Sequence, residues 1–265
     1  MDALALLRLQ VEWGADEALA VDPVDRLKPA ASEADRTPAH PTPSPISVAP
    51  SSLPDTPPSA ALRASPAERA VAAAQQADTI EALGAAILAF DGCPLRAMAT
   101  RSVLPSGTPS SDLLIVGEAP GEDEDREGTP FRGPEGQLLD RMLDSIGLDR
   151  SAFILAPLIP WRPPGGRPPN AGELAVCLPF LHRLVGLAEP KRLVLLGGLT
   201  ARALLGSAPP RRGQRPAWSE WTVPGSRRQI PTVALPSLGM LLKTPPLRRD
   251  AWAGLRLLRK TLDLP

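Results

Sequence analysis

Four apolar runs divide the second half of the chain: residues 112–118 (DLLIVGE), 152–159 (AFILAPLI), 192–198 (RLVLLGG) and 232–236 (TVALP). Each is short, rich in Leu, Ile and Val, and bounded by turn residues, as expected of a strand buried on both faces. Between and after them, apolar residues recur at helical spacing over 135–146, 171–187, 199–205 and 247–262. Strands alternating with helices predict an α/β domain, a three-layer α/β/α sandwich around a central four-stranded parallel sheet. Ligands of such sheets bind beyond the carboxyl ends of the strands, so the loops starting at Glu118, Pro160 and Pro236 are where function is expected.

The first half reads differently. Leu4, Leu6, Leu7, Leu9, Val11 and Trp13 give residues 1–20 a short helical segment able to dock on a protein partner. Residues 21–66 are dominated by Pro, Ser, Thr, Ala and Asp and cannot bury enough apolar area to offset chain entropy, so a disordered linker is expected. Ser65-Pro66-Ala67-Glu68 combines an N-cap, a first-turn proline and a capping-box acid, opening Ala-rich helices that run to about Phe90. The folded domain is expected to occupy 67–265.

Composition narrows this picture. Of 265 residues, 34 are proline, mostly outside any core, so one folded domain is expected. Aromatics make up 3% with no tyrosine, so aliphatic residues fill the core and stacking surfaces for bases are few. Formal net charge is zero, so any contact with nucleic acid must come from a local basic face. Arginine greatly outnumbers lysine, which suits phosphate forks, with a genome-wide codon bias as the alternative reading. Cys93 and Cys177 form no local C-x-x-C pair, which fits a reducing cytoplasm. MDALALLRLQ lacks a basic n-region and carries Arg8 within its apolar run, against a signal peptide. No run approaches the roughly 20 apolar residues of a membrane span. A cytoplasmic monomer is the expectation.

The densest candidate site follows the first strand. Gly117-Glu118-Ala119-Pro120-Gly121 leads into an acidic run and then Gly128-Thr129-Pro130-Phe131-Arg132-Gly133-Pro134-Glu135-Gly136-Gln137-Leu138-Leu139-Asp140. Glycines at 117, 121, 133 and 136 let backbone approach a flat ligand, and Phe131 offers a ring to stack on. Spacing alone leaves a tight turn or a phosphate cradle open, although Glu122, Asp123, Glu124, Asp125 and Glu127 oppose phosphate.

GEAPG followed by GTPFRGPEGQLLDRML resembles the first motif of the uracil-DNA glycosylase superfamily, closest to its family-four, iron–sulfur branch. The similarity continues through WRPPGGRPPNAGELAVCLPFL and RLVLLGGLTARALLG, over about residues 85 to 260. The resemblance implies an α/β/α domain that flips a base out of DNA and hydrolyses its N-glycosidic bond. It assigns Glu118 and Asp123 to positioning the attacking water, and Phe131 to stacking on the base, with Gly117, Ala119, Pro120 and Gly121 around it. Helix or loop capping by Glu118, and plain core packing by Phe131, are the structural alternatives.

The family's pattern is broken at several positions. Four cysteines hold its [4Fe-4S] cluster, and here those positions read Phe90, Cys93, Trp161 and Cys177. Two thiolates do not hold a four-iron cluster, and the apolar replacements suit a filled cavity, so no cofactor is expected. Pro157 stands where the family has an Asn that reads the uracil edge, and it offers neither side-chain donor nor acceptor. Leu235 stands in place of the His that stabilises charge on the departing base.

DNA is the expected partner. Arg162 and Arg167 flank a stiff Pro-Pro-Gly-Gly turn in the family's DNA-facing loop, and Ser237, Leu238 and Lys243 belong to a segment expected to enter the groove as an apolar wedge with a basic end. Arg211, Arg212, Arg215, Arg227, Arg228, Arg248 and Arg249 are further candidates for a basic face. Three functions stay open: a repair glycosylase acting on uracil or another damaged base, a non-catalytic DNA-binding or protein-interaction module on the same fold, and an enzyme acting on a free nucleotide or base. The intact GEAPG to LLD stretch favours the first, and Pro157 and Leu235 favour the second.

Overall fold

The computed structural model describes residues 64–109, 111–207 and 213–262. The N-terminal segment at 1–20, nearly all of the linker at 21–66, and Arg211 and Arg212 lie outside the described residues. The last linker residues already belong to the fold, because Ser65 caps helix α1 (Pro66–Gln75) in a reciprocal capping box with Glu68. Thr79 caps α2 (Ile80–Ala89) in turn, its hydroxyl accepting the Ala82 N–H at 3.1 Å.

Six strands form one sheet in the order β1-β3-β2-β4-β6-β5. The four parallel inner strands are β2 (Leu113–Gly117), β3 (Ile154–Pro157), β4 (Arg192–Leu196) and β6 (Gln229–Leu235), the four expected from sequence. Two short antiparallel strands, β1 (Ser106–Gly107) and β5 (Ser219–Thr222), add an edge on each side. The four-stranded expectation is therefore corrected to a mixed six-stranded sheet. Ser-Gly and Ser-Glu-Trp-Thr are too short and too polar to produce a strand pattern, and they exist as strands only because an inner strand is there to pair with.

Alternate side chains of the inner strands enter two separate cores, which explains why the strands read as unbroken apolar runs. Leu114, Val116, Ile154, Ala156, Leu193 and Leu195 face one core, which is closed by α1, α2 and α5 (Ala171–Ala188) together with α6 (Gly198–Leu205). Leu113, Ile115, Leu155, Val194, Val233 and Leu235 face the other, closed by α4 (Gly133–Asp144), α7 (Leu238–Lys243) and α8 (Arg248–Leu262). Each Leu, Ile or Val side chain so removed from water contributes about 1.5–3 kcal/mol.

Two sequence readings change. The acidic run is a helix, α3 (Glu122–Glu127), because Glu124 folds back to accept the Gly121 N–H at 2.6 Å and stabilises the first turn. Helix α5 is long and apolar enough to cross a membrane by length and composition alone, contrary to the sequence expectation. In the fold its Val176, Cys177, Phe180, Leu181, Leu184 and Val185 are buried in the first core, as befits a central helix of an α/β domain.

The connection after β2 runs through α3 and α4 to β3 on one side, whereas β4, on the other side of β2, continues into α6 on the opposite face. The loops after β2 and β4 thus part to opposite faces of the sheet. This switch point opens a crevice at the carboxyl ends of the two strands.

Candidate active site

Gly117 ends β2 beside Pro157 of β3, and its carbonyl accepts the Thr200 hydroxyl at 2.8 Å and the Leu158 N–H at 3.1 Å. Above Gly117 lies the ring of Phe131, so close that a Cβ at position 117 would stand 2.7 Å from its Cζ. Only glycine at this position leaves room for the ring. Phe131 is 5% exposed and has a φ of 56°, a left-handed conformation that costs a bulky residue about 1–3 kcal/mol. Its N–H donates to Glu124 Oε1, and its carbonyl accepts Arg150 Nη2 at 3.0 Å. Gly136 makes room for that carbonyl, since a Cβ there would be 1.9 Å from the oxygen. Phe131 both packs in the second core and forms the wall of a cleft.

The cleft has a volume of about 400 Å³ and lies over the strand ends at the switch point. Of the residues singled out from sequence, Gly117, Glu118, Ala119, Gly121, Phe131, Pro157, Ser237, Leu238 and Lys243 line it. Pro120 is buried beside it. Asp123 is not in its wall: its carboxylate rests on Gly133 and pairs with Arg126 at 3.3 Å. Glu118 crosses the crevice to α6, where Oε1 accepts the Leu199 N–H at 2.7 Å and the carboxylate presses on Gly197, whose φ is 111°. The helix-capping alternative is thus realised for Glu118, in a residue that also faces the cleft.

Leu235 is 1% exposed and turned away from the cleft, its Cδ2 2.2 Å from where a Cβ on Gly254 would lie. The cleft is reached two residues later, at Ser237, whose hydroxyl caps α7. The expected wedge loop is therefore helical. Leu238 is 3% exposed and belongs to the core, whereas Met240 is 52% exposed on the rim and Lys243 is exposed at the end of the helix.

Arg167 is already engaged by protein. Its guanidinium forks onto Glu173, Nη2 to Oε1 at 2.6 Å and Nη1 to Oε2 at 2.9 Å, and Asn170 N–H donates to the same carboxylate. The guanidinium holds Glu173 below the usual carboxylate range. Arg162 is half-buried and its Nε has no protein partner. Arg228 binds the carbonyls of Glu189 and Pro190, both at 2.7 Å, and Arg248 binds that of Leu241 at 3.0 Å.

Three residues of this region escaped the sequence reading. Glu124 and Glu135 both line the cleft, and burial raises the pKa of each above the ordinary glutamate range. Met240 is the third. An acid in the first turn of a helix is ordinary, and nothing in the sequence distinguishes these two from their acidic neighbours.

The four positions that hold iron in the resembled family meet in the first core. Phe90 and Trp161 stack with centroids 6.4 Å apart, and Phe180 meets Phe90 edge-on at 5.3 Å. Trp161 is fully buried, with its Nε1 donating to Ser102 Oγ at 2.9 Å. Cys93 and Cys177 are buried free thiols in contact; the Cys177 thiol lowers the pKa of Cys93 to about 7, while that of Cys177 is raised. Two thiols and two packed rings do not form the donor set of a four-iron cluster. Among the described residues, no group of three or more His, Cys, Asp or Glu could hold a metal ion.

Residues 104–256 match the family described as the uracil DNA glycosylase superfamily. The type-4 uracil-DNA glycosylase of Pyrobaculum aerophilum is 39% identical over 115 residues, covering 43% of this chain and 59% of that protein. That of Sulfurisphaera tokodaii is 37% identical over 121 residues, covering 45% and 55%. That of Thermotoga maritima is 36% identical over 105 residues, covering 40% and 55%. The matched stretch thus spans little more than half the length of these curated relatives. With a matching stretch that takes in the sheet, the switch point and the cleft, the chain belongs to the uracil-DNA glycosylase superfamily.

Proposed function

We propose that the cleft binds a uracil or another damaged base flipped out of DNA and hydrolyses its N-glycosidic bond. The observation that carries this is the cleft over the strand ends, which has the ring of Phe131, seated on Gly117, in its wall and carboxylates around it. A flat heterocycle gains stacking on the ring, and the pinned backbone of Phe131 keeps that surface in place before the base arrives. Three type-4 uracil-DNA glycosylases among the similar proteins support the same reaction class. Lys243 at the cleft and Met240 on its rim suit a phosphate contact and an apolar wedge into the duplex. No step requires the iron–sulfur cluster of the resembled branch, and we propose that the protein holds none.

A second reading, a DNA-binding module without catalysis, is favoured by Pro157 in the cleft wall and Leu235 in the core, neither of which offers a hydrogen bond to the base. One assay separates the two. Full-length protein is incubated with single- and double-stranded oligonucleotides carrying one uracil, hypoxanthine or xanthine, and strand scission at abasic sites is measured after alkali. Base release that falls sharply in Phe131→Leu supports the glycosylase. Binding to DNA without release from any substrate supports the module.

A further inference from the structure

The carboxylates of the cleft are not equivalent. Glu118 is engaged by the Leu199 N–H at 2.7 Å, which ties it to α6. Glu124 accepts N–H groups from both Gly121 and Phe131 and so serves to shape the slot. Glu135 lines the same cleft, and among the described residues it makes no hydrogen bond or ion pair. It stands in the first turn of α4, four residues after Phe131, and solvent reaches it through the cleft mouth. Its Oε1 lies 2.9 Å from where a Cβ on Gly239 would be, so the carboxyl rests against the start of α7 and is confined without being neutralised.

Its electrostatic setting is mixed. The packed cleft walls and the facing Glu118 raise its pKa, and Lys243 at the end of α7 opposes them. Glu135 in turn disfavours charge on Glu124 of α3 and helps raise its pKa. A base with a pKa above the ordinary carboxylate range accepts a proton from water more readily than a salt-bridged one.

We propose that Glu135 is the general base of the reaction, resting on the glycosylase reading above: its carboxylate takes a proton from the water that attacks C1′ of the flipped nucleotide. As the water O–H bond breaks, its oxygen forms a bond to C1′. The C1′–N bond breaks and its electron pair leaves with the base. The proton resides on Glu135 and then passes to solvent or to the departing base anion. Glu118 and Glu124 position the slot, and Glu135 is the carboxylate left free to act on water.

The test uses full-length protein and the damaged oligonucleotides named above, with single-turnover rates of base release measured from pH 5 to pH 9. Binding to an oligonucleotide with a tetrahydrofuran abasic analogue is measured in parallel. Glu135→Gln is expected to slow release on the order of 10²-fold or more, with binding unchanged. The unmodified protein is expected to lose rate as pH falls through the raised pKa of Glu135, and that acid limb should vanish in the variant. Gly239→Ala, which crowds the carboxyl without removing it, should slow release while keeping the limb. Equal rates and equal pH profiles in Glu135→Gln and the unmodified protein would overturn the assignment while leaving the glycosylase reading intact. No release by the unmodified protein from any of the three bases would overturn both.

Discussion

The ring of Phe131 lies against Gly117 with no room for a methyl group between them, since a Cβ on Gly117 would be 2.7 Å from the ring's Cζ. The ring cannot retreat easily: its backbone is fixed by Glu124 and Arg150, and it is 5% exposed. Gly117→Ala is therefore expected to tilt the ring into the slot. The domain should lose about 1–3 kcal/mol of stability, as for other overpacked sites, and base release should fall by more than that loss explains. Denaturant unfolding and release rates on one preparation check both. Unchanged release in the folded variant would show that the slot does not hold the base.

Trp161 tests whether the ring cluster in the first core now does structural work. It is fully buried, stacks on Phe90 and bonds Ser102. Trp161→Ala should cost about 3–5 kcal/mol, read as a lower urea midpoint at unchanged slope. A loss below about 1 kcal/mol would mean that the core collapses around the gap.

The same region predicts the state of the purified protein. With two thiols present and the other two positions filled by packed rings, the preparation should be colourless, without iron and sulfide in cluster stoichiometry. A brown protein with four irons per chain is the contrary result.

Leu235→His would not restore a catalytic imidazole. The side chain lies in the core against Gly254, so the substitution places a polar ring where no partner waits. A loss on the order of 3 kcal/mol is expected, with no gain in release. Pro157→Asn is different, because position 157 lines the cleft, and it is expected to sharpen discrimination between uracil and cytosine. Competition between the two substrates measures this.

The Arg167–Glu173 fork should give stability a defined pH dependence. Glu173 is 6% exposed, and its folded pKa is lowered by Arg167. A lowered folded pKa stabilises above the unfolded value of about 4.3 and stops doing so as pH falls through the folded value. The Tm difference between the unmodified protein and Arg167→Ala should be largest near neutrality and shrink below about pH 4. A gap that stays constant down to pH 3 would show that the pair contributes by packing alone.

Much of the architecture was legible because its signals are local. Strands buried on both faces must be apolar at every position, so 112–118 and 192–198 stand out as runs, and the helices between them carry a 3.6-residue period. The capping box at Ser65 is equally local, two residues three positions apart closing on each other. The glycines at 117 and 136 marked the slot because close approach removes side chains from the sequence itself.

What tertiary structure decided is how each polar side chain is engaged. Glu118, Glu124 and Glu135 are the same residue type in one stretch of chain, and nothing local separates them. One meets the α6 N-terminus 81 positions away, one is folded into its own helix cap, and one is left facing the cleft. Arg167 stands in a loop whose sequence suits phosphate, and Glu173 closes on it; Leu238 sits in a segment whose sequence suits a wedge, and α7 turns it inward and Met240 outward. The apolar pattern determines the fold because burial depends on each residue's own character. A charged group's role depends on which partner the folded chain brings within hydrogen-bond reach, and sequence order does not contain that distance.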